Sequence, residues 1–108
     1  METKLPKVIE NYIEAKNAYD VNAALACFSE HAVVHDEGKD HRGKPAINEW
    51  IQETIRKYRD HLRPIRSTEK DAEVVLTAEI SGTFDGSPIE LDFHFIIEKD
   101  TIAVLSIH

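Results

Sequence analysis

The sequence predicts an α+β domain, with three helices from its first half packed on one face of an antiparallel sheet built by its second half. Three observations predict it. Apolar residues recur at helical spacing as far as Tyr58. After His61 they alternate, the period of a strand. Asp71-Ala72, Asp85-Gly86-Ser87-Pro88 and Lys99-Asp100 then divide the second half into four strands.

The first helix enters through Pro6, with Thr3 or its successor as the cap, because proline is tolerated in a first turn. Leu5, Val8, Ile9, Tyr12, Ala15 and Tyr19 form its apolar stripe. Asp20 is the N-cap of a short second helix whose Ala24, Leu25 and Phe28 share a face. Ala32 to Asp36 reads as a strand with Val34 and Asp36 on one side and Val33 and His35 on the other. Gly38 to Gly43 reads as a polar loop. Lys44-Pro45 opens the third helix, with Ile47, Trp50, Ile51, Thr54, Ile55 and Tyr58 as its stripe. Arg56-Lys57-Tyr58-Arg59 suits its negative C-terminal end.

The expected strands are Leu62–Lys70, Glu73–Phe84, Ile89–Glu98 and Thr101–Ile107. Pairing Phe84 with Ile89 sets Gly82 against Leu91, Ile80 against Phe93, Ala78 against Phe95 and Leu76 against Ile97. Every apolar side chain then shares one face, to which Ile102 and Val104 are added. The other face carries Thr77, Glu79, Asp92 and His94, with Ile96, Leu105 and Ile107 at one end. That half-apolar outer face predicts a two-fold homodimer.

Composition narrows the function. The 108 residues make one domain, 1–108, and 42% hydrophobic residues are enough for a packed core. A formal charge of −7 disfavours nucleic acid and anionic membrane surfaces as partners. No apolar run approaches the roughly 20 residues that span a bilayer, and the opening METKLPKVIE lacks a signal-peptide pattern. A single cysteine, Cys27, allows no internal disulfide, which places the expected compartment in the reducing cytoplasm. No Gly-rich phosphate loop or dinucleotide fingerprint occurs, so no cofactor is expected.

Tyr12-Ile13-Glu14-Ala15-Lys16-Asn17-Ala18-Tyr19-Asp20, Ala24-Leu25, Phe28 and Ala32-Val33-Val34-His35-Asp36 come in a distinctive order. Arg42-Gly43-Lys44-Pro45-Ala46-Ile47 then leads to Trp50. This pattern resembles the nuclear-transport-factor-two-like superfamily, which includes ketosteroid isomerase and the SnoaL-like polyketide cyclases. The resemblance implies a sheet curved into a cone, with the helices on its concave face and a pocket inside. It also implies a general base at Asp36, a hydrogen-bond donor to an enolate oxygen at Tyr12, and an aromatic wall at Trp50. Where the isomerase carries a protonated acid as second donor, this chain has Phe93. Asp92 and His94, one residue to either side, are expected to point outward.

The candidate site is therefore Asp36 and Tyr12 as catalytic residues, with Tyr19, Val34, Trp50, Phe93 and Phe95 lining a pocket for a small hydrophobic molecule. For Asp36 the competing reading is a loop cap or a pair with Arg42; for Tyr12 it is a core tyrosine. His31, His35 and His41 with Asp36, Glu37 and Asp40 have the letters of a metal site. Neighbours on a strand diverge, however, and no metal is expected. His94 and Glu79 are expected to face each other across strands. Arg63 is expected to share the inward face with Ile65, where it could hold an anionic group. Cys27 reads as inert packing, and His108 is assigned no role. The functional expectation is a cofactor-independent isomerase, cyclase or dehydratase that abstracts a proton next to a carbonyl. The alternative is a non-catalytic ligand-binding or protein-interaction dimer.

Overall fold

A computed structural model describes residues 5–108, so the Thr3 cap lies outside the described residues. The helices are α1 (Lys7–Asn17), α2 (Val21–Ala26) and α3 (Gly43–Tyr58). The strands are β1 (Phe28–Asp36), β2 (Lys39–Arg42), β3 (His61–Lys70), β4 (Glu73–Ser81), β5 (Ile89–Glu98) and β6 (Thr101–Ile107). They form one sheet in the order β2-β1-β6-β5-β4-β3, antiparallel except for the β1–β6 pair.

Local chemistry explains most boundaries. Pro6 is the N-cap of α1. Asp20 caps α2, accepting a hydrogen bond from the Ala23 N–H at 3.1 Å. α3 ends where Arg59 takes a left-handed conformation, φ 47°. The α stripes and inner sheet face meet in one core in which Ile9, Phe28, Ile47, Ile51, Leu76, Phe95, Ile102 and Leu105 are fully buried. Phe28, expected on α2, begins β1 instead.

The polar segment after Gly38 is a strand, not a loop. Glu37 and Gly38 both take positive φ, 54° and 75°, the turn that closes a two-residue hairpin. β2 then pairs with β1 from Asp36↔Lys39 to Val33↔Arg42. An edge strand with two polar faces carries no alternation for a sequence reading to detect.

The β4–β5 register differs from the expected one. Ile80 faces Ile89, Ala78 faces Leu91, Leu76 faces Phe93 and Val74 faces Phe95. The offset is an even number of residues, so the inward set keeps its face. The cause lies at Gly82, where a Cβ would sit 2.3 Å from the Tyr58 carbonyl oxygen. The Thr83 N–H donates to that oxygen at 2.9 Å. β4 therefore stops at Ser81, and the chain leaves the sheet to dock on the end of α3.

A bulge corrects the outer face. Ile97 pairs with Ile102 but Ile96 pairs with Val104, leaving Ala103 unopposed. Beyond it the parity of β6 reverses. Leu105, expected outward, is fully buried, Ile107 turns inward with it, and Val104 joins Ile96 outside. The register also separates His94 from Glu79: His94 lies opposite Val75 and approaches Glu73 at 3.9 Å. Arg63 is exposed and pairs with Glu79 at 3.3 Å, instead of facing inward. The ladder shifts between Pro64 and Arg66, just beyond it.

Candidate functional site

Between the helices and the concave sheet face lies a cavity of about 790 Å³. α1 contributes Tyr12 and Lys16, the end of β1 contributes Asp36, and α3 contributes Trp50, Thr54 and Tyr58. Leu62, Ile80, Leu91, Phe93 and Ile107 make the sheet wall, and Asp60 enters from the α3–β3 connection. This volume is in the range of ordinary small-molecule sites, about 300–1,000 Å³.

Asp36 is half-buried and lines the cavity. Its Oδ2 accepts a hydrogen bond from the Trp50 Nε1–H at 3.0 Å. Burial raises its pKa above the usual carboxylate range; the Trp50 bond opposes that, and the neighbouring Glu37 charge adds to it. Arg42, the alternative partner, pairs with Asp40 at 3.3 Å.

Tyr12 is buried, its ring edge-on to Phe28 at 5.5 Å and to Phe95 at 6.1 Å. Its hydroxyl makes no hydrogen bond to the protein among the described residues. Burial first, then the Asp60 and Asp36 charges, push its pKa well above the usual tyrosine range. It therefore stays a neutral donor throughout the physiological range.

Of the expected lining residues, Trp50 and Phe93 reach the cavity. Val34 and Phe95 do not, because both are fully buried in the core beneath it. Tyr19 lies outside: it is 37% exposed, and its hydroxyl donates to the Arg59 carbonyl at 3.0 Å. Two residues past the end of α1, a positive φ of 58° at Tyr19 turns the ring off the helix stripe.

The sequence reading missed the pair formed by Lys16 and Asp60. Lys16 Nζ stands 3.0 and 2.8 Å from the two carboxylate oxygens. The signal was present, since Lys16 falls on the apolar face one turn after Tyr12. At the rim, the Tyr58 hydroxyl donates to Glu37 Oε1. His35 Nδ1 meets Asp40 Oδ1 at 2.5 Å, and the His41 ring lies 6.0 Å from that of Trp50. Among the described residues, no three His, Cys, Asp or Glu side chains converge as metal ligands. Cys27 is buried, and burial raises its thiol pKa. Asp92 points away from the cavity and accepts from Thr77 at 2.7 Å. His108, assigned no role, borders the cavity, with its ring 4.7 Å from that of His94.

Comparison with known proteins agrees with this architecture. A candidate polyketide cyclase from Sinorhizobium meliloti is 34% identical, with 96% of this chain and 95% of that one covered and a TM-score of 0.94. A Catenulispora acidiphila protein with a ketosteroid isomerase-like fold, solved with trimethylamine, superposes at TM-score 0.86. It is 16% identical over 97% of this chain and 86% of its own. SalBIII, an epoxide hydrolase/cyclase-like enzyme with a role in salinomycin pyran-ring formation, gives 0.83 at 18% identity, over 94% and 86%. No curated protein matches. The family model for the SnoaL-like domain matches residues 9–102, and with that the chain belongs to the SnoaL-like family of the NTF2-like fold.

Proposed function

We propose that this protein is a cofactor-independent acid–base enzyme acting on a small apolar carbonyl compound. The observation that carries the reading is Asp36: a half-buried carboxylate on a largely apolar cavity, with a raised pKa and no salt bridge to a cation among the described residues. A carboxylate so placed is a better base than one in water. In the proposed step the substrate's α C–H bond breaks and its proton passes to Asp36. The C–H electron pair moves into the carbonyl and gives an enolate, whose oxygen takes a hydrogen bond from the Tyr12 hydroxyl. Trp50 holds the carboxylate in place. Returning the proton to another carbon completes an isomerisation; attack of the enolate carbon on a second carbonyl closes a ring; expulsion of a β-hydroxyl completes a dehydration. The cyclase names of the two enzyme-like relatives support the ring-closing version.

Phe93 lies on the cavity wall, and by the family resemblance it stands where the isomerase has its acid; this favours a second reading, a pocket that binds the same class of molecule without turnover. Exchange of the α-protons of 2-tetralone in deuterated water, followed by proton NMR, separates the two. The enzyme reading expects exchange well above buffer and a loss of about 10²–10⁴-fold in Asp36→Asn. Exchange at the buffer rate in the parent protein, or an unaffected variant, overturns it.

The homodimer remains a proposal, moved by the β6 bulge to the outer strip of Val33, Val104 and Ile96, which are adjacent in the ladder. No helix among the described residues is long and apolar enough to cross a membrane. The free Cys27 is what supports the proposed cytoplasmic setting.

A further inference from the structure

Lys16 stands on α1 one helical turn after Tyr12, on the same face, and both line the cavity. Its side chain is 4% exposed. An ammonium has three N–H donors. Asp60 engages at most two of them, at 3.0 and 2.8 Å, and Lys16 has no other acceptor among the described residues. One donor is thus left for a molecule in the cavity.

Stability does not explain why a charge is buried here. A buried ion pair is commonly no more stabilising than apolar side chains of the same volume. The wall around it is already apolar, with Leu62, Ile80, Leu91 and Phe93. The pair is also held rigidly. Asn17, next to Lys16, bonds the Leu62 backbone twice: its Nδ2 donates to the Leu62 carbonyl at 2.9 Å, and its Oδ1 accepts the Leu62 N–H at 2.8 Å. Tyr19 fastens the Arg59 carbonyl from the same helix end. Both clamps fix the segment carrying Asp60 against α1, a supporting shell of the kind that keeps a functional group in register.

We propose that Lys16, anchored by Asp60, is the second hydrogen-bond donor to the substrate oxygen, completing with Tyr12 the oxyanion site that Phe93 leaves open. This deepens the reading above and rests on it. When Asp36 takes the α-proton, the developing enolate oxygen is met by the Tyr12 O–H and one Lys16 N–H. Asp60 orients the ammonium, and the ammonium in turn screens the enolate from the Asp60 charge.

The test uses 2-naphthol, a planar mimic of the 2-tetralone enol whose absorption spectrum distinguishes naphthol from naphtholate. The parent protein is expected to bind it and to lower the pH at which it ionises. The neutral, near-isosteric double variant Lys16→Met/Asp60→Asn should lose that shift. Its 2-tetralone exchange should fall about 10²–10³-fold, the usual loss of one oxyanion donor, with its circular dichroism unchanged. Lys16→Arg should keep part of both. Asp36→Asn should abolish exchange yet keep the naphtholate shift. Naphtholate stabilisation without any exchange by the parent protein would therefore count against the enzyme reading and for this donor site. An unchanged naphtholate fraction in the double variant overturns the proposal. So does a parent protein that does not bind 2-naphthol or does not alter its ionisation. Should the double variant not fold, nitrogen-15 NMR of Lys16 in the parent decides the matter: its Nζ resonance must move on 2-naphthol binding, and a static one overturns the proposal.

Discussion

Trp50 donates its indole N–H to Oδ2 of Asp36 across 3.0 Å, tying the middle of α3 to the last residue of β1. The contact both aims the carboxylate and restrains its basicity, because a hydrogen bond to the charged form favours that form. Trp50→Phe should therefore move the Asp36 pKa further up, shifting the low-pH limb of the exchange profile to higher pH. It should also cost about 1–3 kcal/mol of stability. A profile that stays in place in Trp50→Phe contradicts this role.

Burial holds the Asp36 pKa above that of an unfolded chain. The folded state then binds this proton more tightly than the unfolded state does. Its contribution to stability is complete below the ordinary carboxylate range and is lost as pH rises through the folded pKa. Asp36→Asn removes that loss. The variant should melt higher than the parent at pH 7, with the gap closing as pH falls toward the ordinary aspartate value. A variant that is less stable at pH 7 would show that Asp36 is a structural anchor.

Lys16→Met alone leaves Asp60, whose side chain is 13% exposed, charged and unpaired. A loss of about 3–5 kcal/mol is expected in urea denaturation. Lys16→Met/Asp60→Asn should regain most of it. Equal losses in the single and double variants would mean that the pair stabilises the fold in its own right.

The sheet faces can be tested by charge. Val104→Glu places a carboxylate on the outer strip and should leave the fold intact while dissociating a dimer, read by sedimentation velocity. Leu105→Glu buries an unpaired charge in the core and should prevent folding. A folded Leu105→Glu protein would refute the bulge-reversed parity of β6.

Most of the fold was legible because it rests on periodicity. The α1 and α3 stripes, the Asp20 cap and the four long strands all carry local signals. Asp36, Tyr12 and Trp50 follow from the family resemblance and Phe93 from the alternation of its strand, and all four line the cavity. What escaped depended on contacts distant in sequence. The Tyr58 carbonyl ends β4 at Gly82 from more than twenty residues away. The bulge at Ala103 is a pairing event between two strands, with no residue of its own to announce it. Tyr19 looked like a cavity residue because it continues the stripe, but its left-handed backbone turns it aside. Lys16 was hidden by its type: lysine on an apolar face reads as a stem reaching for water until Asp60, 44 residues on, arrives opposite it.

The central claim, that Asp36 is a partly desolvated base facing a ligand-accessible chamber, is tested most directly by a carbon-13 NMR titration of its carboxyl carbon, with and without 2-naphthol. The account predicts a midpoint above the ordinary 3.8 of an aspartate that moves when the naphthol binds. A midpoint at or below that value, indifferent to the ligand, would contradict it.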